Sequence, residues 1–372
     1  MRIRGAVLDH FGLPRPYTDS HPLHVCDLGL DPPRAGEVLV RVEAAGLCHS
    51  DLSVVNGSRT RPMPMLLGHE AAGIVEAVGD GVHDLPLGQR VVLTFLPRCG
   101  ECAACRLDGL APCIPGSVAN GRGELISGGT RLWRDDEPIH HHLGVSAFAP
   151  YTVVDRRSLV PVDHDVPAEV ATVLGCAVLT GGGAVLNAGR PQPGDTVIVV
   201  GLGGVGMAAV LTALAVYGVR VIAVDRRADK LATARRLGAA AAWTPHEALN
   251  QPERGAVVIE AAGHPAAIET AITLTAPGGR TVTVGLPDPE ARLSISPLAL
   301  VAEGRTLIGS YLGSAVPARD IPRFVGLWRD GRLPVEKLVT STIGLDDINL
   351  GMDRLADGAA LRQLITFDHS HG

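Results

Sequence analysis

The sequence predicts a two-domain α/β chain in which a β-rich domain is interrupted by a doubly wound parallel sheet. Three observations carry this. Residues 1–175 hold short β-branched runs bounded by Gly, Pro or Asp. From about residue 175, continuous apolar strands alternate with Ala/Leu-rich helical stretches. Within that alternation, a glycine-rich turn joins a strand to a helix.

In the first part, EVLVRVEAAG (37–46), AAGIVEAVG (71–79), QRVVLTF (89–95) and FAPYTVVD (148–155) read as strands, preceded by a short one at the N-terminus. In the second, DTVIVVG (195–201) is a strand of the fully buried type, and GVGMAAVLTALAVYG (204–218) has the length and composition of a helix. VRVIAVD (219–225) is the next strand and ADKLATARRLG (228–238) the next helix, stopped by glycine. AVVIEAAG (256–263), AIETAITLTAPGG (267–279) and RTVTVGL (280–286) continue the alternation, and TLIGSYLG (306–313) is its last strand. A helix over RDIPRFVGLWRDGR and a strand near LRQLITF (361–367) are expected to return to the first domain. The predicted domains are therefore 1–177 with 312–372, and 178–311.

Composition narrows the function. The 372 residues are 46% hydrophobic, enough for two cores. No apolar run reaches the roughly eighteen residues of a membrane span, and the N-terminus lacks the apolar core of a secretory signal. The net charge of −6 is dispersed, without the basic patch that nucleic acid requires. Seven cysteines in a large chain of this kind argue for reduced thiols and metal rather than disulfides. The expectation is a soluble cytoplasmic protein with no nucleic-acid or membrane partner.

Gly201-Leu202-Gly203-Gly204-Val205-Gly206 is a G-x-G-x-x-G turn between strand and helix. Its glycines suit a tight turn, close approach of a pyrophosphate, and close helix–strand packing, with the phosphates at the helix N-terminus. The pattern alone also fits a structural turn; its position in the alternation is what favours a dinucleotide. Asp225 ends the next strand nineteen residues after Gly206. A carboxylate there accepts ribose hydroxyls and repels a 2′-phosphate, favouring NAD over NADP. Arg226 and Arg227 pull the other way, since arginines accommodate that phosphate.

Cys99, Cys102, Cys105 and Cys113 have the C-x2-C-x2-C-x7-C spacing of a closed tetrahedral zinc site. An iron–sulfur cluster is the rival, but the bacterial run has a shorter last gap ending in Cys-Pro. Cys48, His69 and Cys176 are uninformative one at a time, since buried cysteines and core histidines are common. Together they could supply the Cys2His set of a catalytic zinc.

Taken together, these motifs make the chain resemble the zinc-dependent alcohol dehydrogenases of the medium-chain dehydrogenase/reductase family. The motifs GLCHSD, GHEAAGIVEAVGDGV, the four-cysteine loop, HHHLGVSAFAPYTVVD, LGCAVLTGGGAVLNAG, VIVVGLGGVG and LRQLITF carry the likeness along nearly the whole chain. It implies a GroES-like catalytic domain, a Rossmann coenzyme domain, two zinc ions per chain and NAD. Catalytic zinc would be held by Cys48, His69 and Cys176, with Glu70 behind it. Asp51 would hold the far nitrogen of His69, and the four clustered cysteines would hold a structural zinc. His49 and Arg362 would meet the coenzyme pyrophosphate, Lys230 the adenosine ribose beside Asp225, and Thr180 and Val284 would also touch the coenzyme. Ser50 would take the substrate proton.

The same resemblance places Phe95, Val118, His142, Thr180, Leu286 and Tyr311 in a substrate pocket, with His142 where a bulky apolar residue is usual. Ser53 stands where the family carries a relay histidine. Arg59 and Ser117 replace the anchors of glutathione-dependent members. The run His140-His141-His142 is expected on a loop or pocket rim, because adjacent histidines rarely converge on one ion. The long Cys113–His141 segment implies a homodimer. The implied activity is reversible hydride transfer between NAD(H) and a primary alcohol or aldehyde of moderate size. Two rivals remain: a reductase of the same scaffold acting on a conjugated C=C or iminium, and a protein that binds NAD without turnover.

Overall fold

A computed structural model describes residues 1–367 of the chain. It divides into two compact units. One comprises residues 1–107, 112–176 and 339–367; the other comprises 108–111 and 177–338. Residues 312–338, assigned from sequence to the first domain, therefore belong to the second. The reason is the amphipathic helix Pro317–Arg329, which buries Pro317, Asp320, Ile321, Phe324 and Val325. Apolar residues three and four apart make one face of a helix, and this face packs on the helical segment around Leu179–Gly183 of the second unit. The strand Arg362–Thr366 returns to the first unit as expected, pairing antiparallel with Glu37–Leu47.

The first unit joins two sheets. Strands Arg2–Leu8, Leu23–Leu30, Leu132–Arg134, Glu137–His141 and Met65–Leu66 close a small barrel. A seven-stranded sheet is built around Glu37–Leu47, whose neighbours are Ala71–Val78, Tyr151–Asp155 and Arg362–Thr366. One apolar core, from Ile3 to Ile365, fills the space they enclose. The Cys113–His141 segment is a helix, Ile114–Arg122, followed by a barrel hairpin, rather than a long loop. His140 and His141 consequently lie on a strand, not on a loop, because each pairs in the barrel with Met65–Leu66.

Inside this unit a buried ion pair ties the sheet to the barrel. Glu37 and Arg131 are 0% and 2% exposed. Arg131 Nε donates to Glu37 at 2.8 Å, and Ser127 Oγ and the Arg34 amide donate at 2.6 and 2.9 Å. Burial pushes the Glu37 carboxyl up, but the hydrogen bonds from Arg131 and Ser127 outweigh it and hold the group below its ordinary range. The Arg131 amide in turn donates to Nε2 of the buried His141 at 3.2 Å. Burial, reinforced by the Arg131 charge, holds that imidazole down at about 3.

The second unit is a six-stranded parallel sheet. Along the sheet the strands run Ala241–Trp243, Arg220–Val224, Thr196–Val200, Gly255–Glu260, Thr275–Thr283 and Thr306–Gly309. Counted in chain order within the unit, that is 3-2-1-4-5-6, the doubly wound dinucleotide order. Val197–Val200 are all buried, as a central parallel strand requires. The helical stretch Ala168–Gly189 is long and apolar enough to span a membrane, but 83% of its most apolar eighteen residues are buried inside the protein, which marks a core helix. Its turns widen at Leu174–Val178 and Ala184–Gly189.

Candidate active site

Cys48, His69 and Cys176, the ligand set expected from sequence, arrive on three different elements. Cys48 caps the helix His49–Val55, directly after the strand Glu37–Leu47. His69 and Glu70 lie between the strands Met65–Leu66 and Ala71–Val78. Cys176 sits in the widened turn Leu174–Val178, a local departure from regular helix that recurs at functional positions. The ligand atoms of Cys48, His69 and Cys176 lie within 4.8 Å of one another, and all three residues are buried. His69 Nε2 stands 3.6 Å from Cys176 Sγ. The Cys48 thiol is held well below its ordinary value by hydrogen bonding with Cys176, helped by the charges of Arg362 and His69. Two thiols sharing a proton beside an imidazole are the donor set that zinc selects.

Asp51 organises this cluster. Its Oδ2 accepts from the Cys48 amide at 3.0 Å, closing the helix cap. Its Oδ1 accepts from the Gly68 amide at 3.2 Å and lies 3.1 Å from His69 Nδ1. Nδ1 of His142 stands at 3.1 Å from the same oxygen. Burial pushes the carboxyl up, but the His69 charge, the nearby His142 ring and the hydrogen bond with His69 prevail and hold it at about 2. Phe95 and His142 both pack edge-on against the His69 ring, at 5.7 and 5.2 Å between centroids.

Beside Cys48, His69 and Cys176, Glu70 is fully buried and neither carboxylate oxygen has a hydrogen-bond partner among the described residues. Arg362 Nε lies 3.6 Å away, and its Nη1 donates to the Leu47 carbonyl at 3.2 Å. Burial raises the Glu70 carboxyl to about 7 against the opposing charge of Arg362. A Cβ at position 46 would come within 2.9 Å of Glu70 Cδ, so Gly46 is what leaves this carboxylate its room.

Cys99, Cys102, Cys105 and Cys113 also bring their sulfurs within 4.8 Å. Amides of Cys99, Cys102 and Cys105 donate to the sulfurs of Cys113, Cys99 and Cys102 at 3.3, 3.4 and 3.4 Å. Amide donors favour the thiolate that a metal needs, and those of Ile114 and Cys105 hold the Cys102 thiol down at about 6. Both clusters thus fit zinc by donor type, convergence and supporting hydrogen bonds.

In the second unit, Gly201 sits at φ +90° against the amide of Ala262, and a Cβ there would come within 2.7 Å of that nitrogen. A Cβ on Gly206 would run into the Gly201 carbonyl. Gly204 opens the helix Gly204–Leu214, with Leu202 buried beneath the turn. Asp225 accepts from the Leu202 amide at 2.7 Å and from the Arg227 amide at 2.9 Å. Arg227 pairs with Asp229 at 2.9 Å, while Arg226 is exposed. Lys230 lies on the helix Ala228–Leu237 and Val284 is buried at the end of Thr275–Thr283.

Both parts of the chain match known protein domains. Residues 34–164 match the alcohol dehydrogenase GroES-like domain, and residues 204–328 the zinc-binding dehydrogenase domain. The chain belongs to the zinc-binding alcohol dehydrogenase family. Over 99% of this dehydrogenase and the whole of each partner, it is similar to an alcohol dehydrogenase zinc-binding domain protein from Burkholderia ambifaria (33% identity, TM-score 0.91) and to benzyl alcohol dehydrogenase from Acinetobacter calcoaceticus (30%, 0.90). Acetophenone reductase from Geotrichum candidum, solved with NAD, is 25% identical with a TM-score of 0.79, over 98% of this chain and 97% of that one.

Not every expected residue of this alcohol dehydrogenase joins a cluster. His49 is exposed and Ser50 half-buried, on the first turn of their helix. Ser53 Oγ donates to the His49 carbonyl at 2.7 Å. Val118 and Leu286 are each 50% exposed, and Thr180 and Tyr311 are half-buried in the second unit. Sequence reasoning missed that His142 reaches Asp51, and it missed the Glu37–Arg131–His141 group. No local pattern marks either, because the partners are far apart in the chain.

Proposed function

We propose that this dehydrogenase transfers hydride reversibly between NAD(H) and a primary alcohol or aldehyde of moderate size, with benzyl alcohol the first candidate. The observation that carries the reading is the convergence of Cys48, His69 and Cys176 around a buried Asp51. Cys48, His69 and Cys176 would hold a zinc ion, whose chemistry when bound would be that of a Lewis acid at the substrate oxygen, with NAD as the hydride acceptor. Asp51 fixes the His69 tautomer, keeping a proton on Nδ1 and the Nε2 lone pair toward the two sulfurs. Glu70 and Arg362 offset one another behind the ligands, so that neither charge is buried alone. The hydroxyl of Ser50, in the first turn of the helix that Cys48 caps, accepts the substrate proton. Ser53 cannot act as a base near neutral pH and donates to the His49 carbonyl, so water completes the relay. Phe95 supplies an apolar wall against His69. The likeness to the Acinetobacter enzyme supports an aromatic alcohol. Asp225, with Arg227 occupied by Asp229, supports NAD over NADP. All seven cysteines are free, which supports a reducing, cytoplasmic setting.

The reading further includes a homodimer joined at the edge strand Thr306–Gly309. That strand is largely exposed, and the adjoining helix Pro297–Glu303 buries none of its residues, leaving Leu298 and Val301 74% and 80% exposed. An open edge beside exposed apolar side chains is a surface that pairing would cover.

A panel of primary alcohols, aldehydes, ketones and enals, followed by NADH absorbance beside elemental analysis, tests the reading. Two zinc ions per chain with turnover of benzyl alcohol or its aldehyde are expected. Turnover of enals alone would replace it with a C=C reductase, and one zinc with no turnover would replace it with a binding protein.

A further inference from the structure

The second unit has a cavity of about 410 Å³ that neither the coenzyme turn nor the ligand clusters use. Leu186, Arg190, Arg323, Leu327, Arg332 and Tyr217 are among its lining residues. Three separate chain segments build it. Leu186 and Arg190 come from the end of the widened turn Ala184–Gly189. Arg323 and Leu327, four residues apart on one face of Pro317–Arg329, and Arg332 just beyond that helix, form a second wall. Tyr217 follows the far end of Gly204–Leu214, the helix whose opposite end forms the glycine turn. Eleven residues of helix separate the two ends by about 16 Å.

Three guanidiniums on one cavity are conspicuous in a chain of net charge −6. Among the described residues no carboxylate lines the cavity, and none of the three arginines forms a salt bridge. Arg190 Nε donates to the Asn187 carbonyl at 2.7 Å, and Arg332 Nη2 donates to the Ala215 carbonyl. A guanidinium carries five N–H donors, so most of theirs remain unspent. Arg323 forms no hydrogen bond or ion pair with another described residue. Arg190 also holds φ +53°, a conformation that glycine adopts at lower cost, so its side chain is retained against a backbone preference. Like charges gathered without counter-charges repel one another, and a bound anion removes that repulsion. The exposed Tyr217 ring, 85% accessible, and Leu186 and Leu327 add an apolar margin. The volume falls in the range of small-ligand sites.

From these features we infer that the cavity lined by Arg190, Arg323 and Arg332 binds a small organic polyanion, carrying carboxylate or phosphate groups, at a site separate from the coenzyme. Guanidiniums recognise both groups through paired N–H···O bonds, and three of them select ligands with more than one negative charge.

Titration calorimetry on the full-length, zinc-loaded protein with NAD saturating tests this, using tricarballylate and inorganic phosphate as probes and glycerol as the neutral control. One tricarballylate or phosphate per chain is expected, with affinity falling as salt is raised; the tighter probe names the anionic group. Arg323→Gln should weaken binding about tenfold, the loss of one charged hydrogen-bond pair, while turnover of the best alcohol is unchanged. The Arg323 side chain has no hydrogen-bond or ion-pair partner among the described residues to lose, and a thermal melt verifies that the variant is intact. No binding of either probe at millimolar concentration would overturn the inference. So would binding that Arg323→Gln and Arg190→Gln leave unaltered, or binding that NAD displaces.

Discussion

Oδ1 of Asp51 lies 3.1 Å from Nδ1 of His69 and 3.1 Å from Nδ1 of His142, so one buried carboxylate oxygen serves two imidazoles. Its other oxygen caps the helix that begins with Cys48. Two ligand-bearing segments are therefore registered on one side chain.

Asp51→Asn puts this to the test. An amide leaves one acceptor oxygen and sets N–H donors against N–H donors. Zinc affinity at the Cys48 site should fall by about 10–100-fold, the usual cost of losing a carboxylate behind a ligating histidine. Competition with a chelator reads it, and unchanged affinity would show that Asp51 is not what holds His69.

The Glu37–Arg131 pair should reveal itself by asymmetry. Glu37→Gln alone leaves a buried guanidinium without its counter-charge and should destabilise the fold by about 3–5 kcal/mol. The double change Glu37→Leu with Arg131→Met should recover part of that loss, because no charge then remains buried. Urea denaturation of the two variants beside the parent protein decides it.

His141 predicts a pH dependence. Its folded value is about 3, against an ordinary value of 6.5. Above pH 6.5 both folded and unfolded imidazoles are neutral, and the group contributes no pH dependence. Between that pH and about 3 the unfolded chain takes up a proton that the folded chain refuses, so stability falls as pH falls. The full effect is roughly 5 kcal/mol. His141→Gln, which keeps an acceptor for the Arg131 amide, should flatten this part of the stability profile between pH 7 and 4. Superimposable profiles would contradict a neutral buried imidazole.

Asp225→Ser should lower the preference for NAD over NADP, measured as a ratio of kcat/KM values, by about tenfold or more, since a charged acceptor is exchanged for a neutral one. A preference that does not move would place coenzyme selection elsewhere.

Val301→Asp with Leu298→Asp should convert a dimer to a monomer in light scattering, because each new charge lies on the exposed apolar helix beside the edge strand. A dimer that persists would put the interface on another face.

Much of this protein was legible in the chain itself. The glycine turn, the carboxylate after the second strand and the four-cysteine spacing are local requirements, met by residues a few positions apart. Their chemistry follows from backbone geometry and donor type alone. The alternation of strands and helices, likewise, is written in short-range periodicity.

The rest belonged to the tertiary structure. Cys48, His69 and Cys176 stand far apart in sequence, and only the folding of the first unit brings their ligand atoms together. The helix Pro317–Arg329 joins the second unit because its apolar face matches a partner there, and a helix carries no local mark of which partner it will bury against. His142 meets Asp51, Arg131 meets Glu37 and Arg362 meets Glu70 across the fold. Each is a polar group that burial obliges to find a counterpart, and packing alone determines which one is within reach.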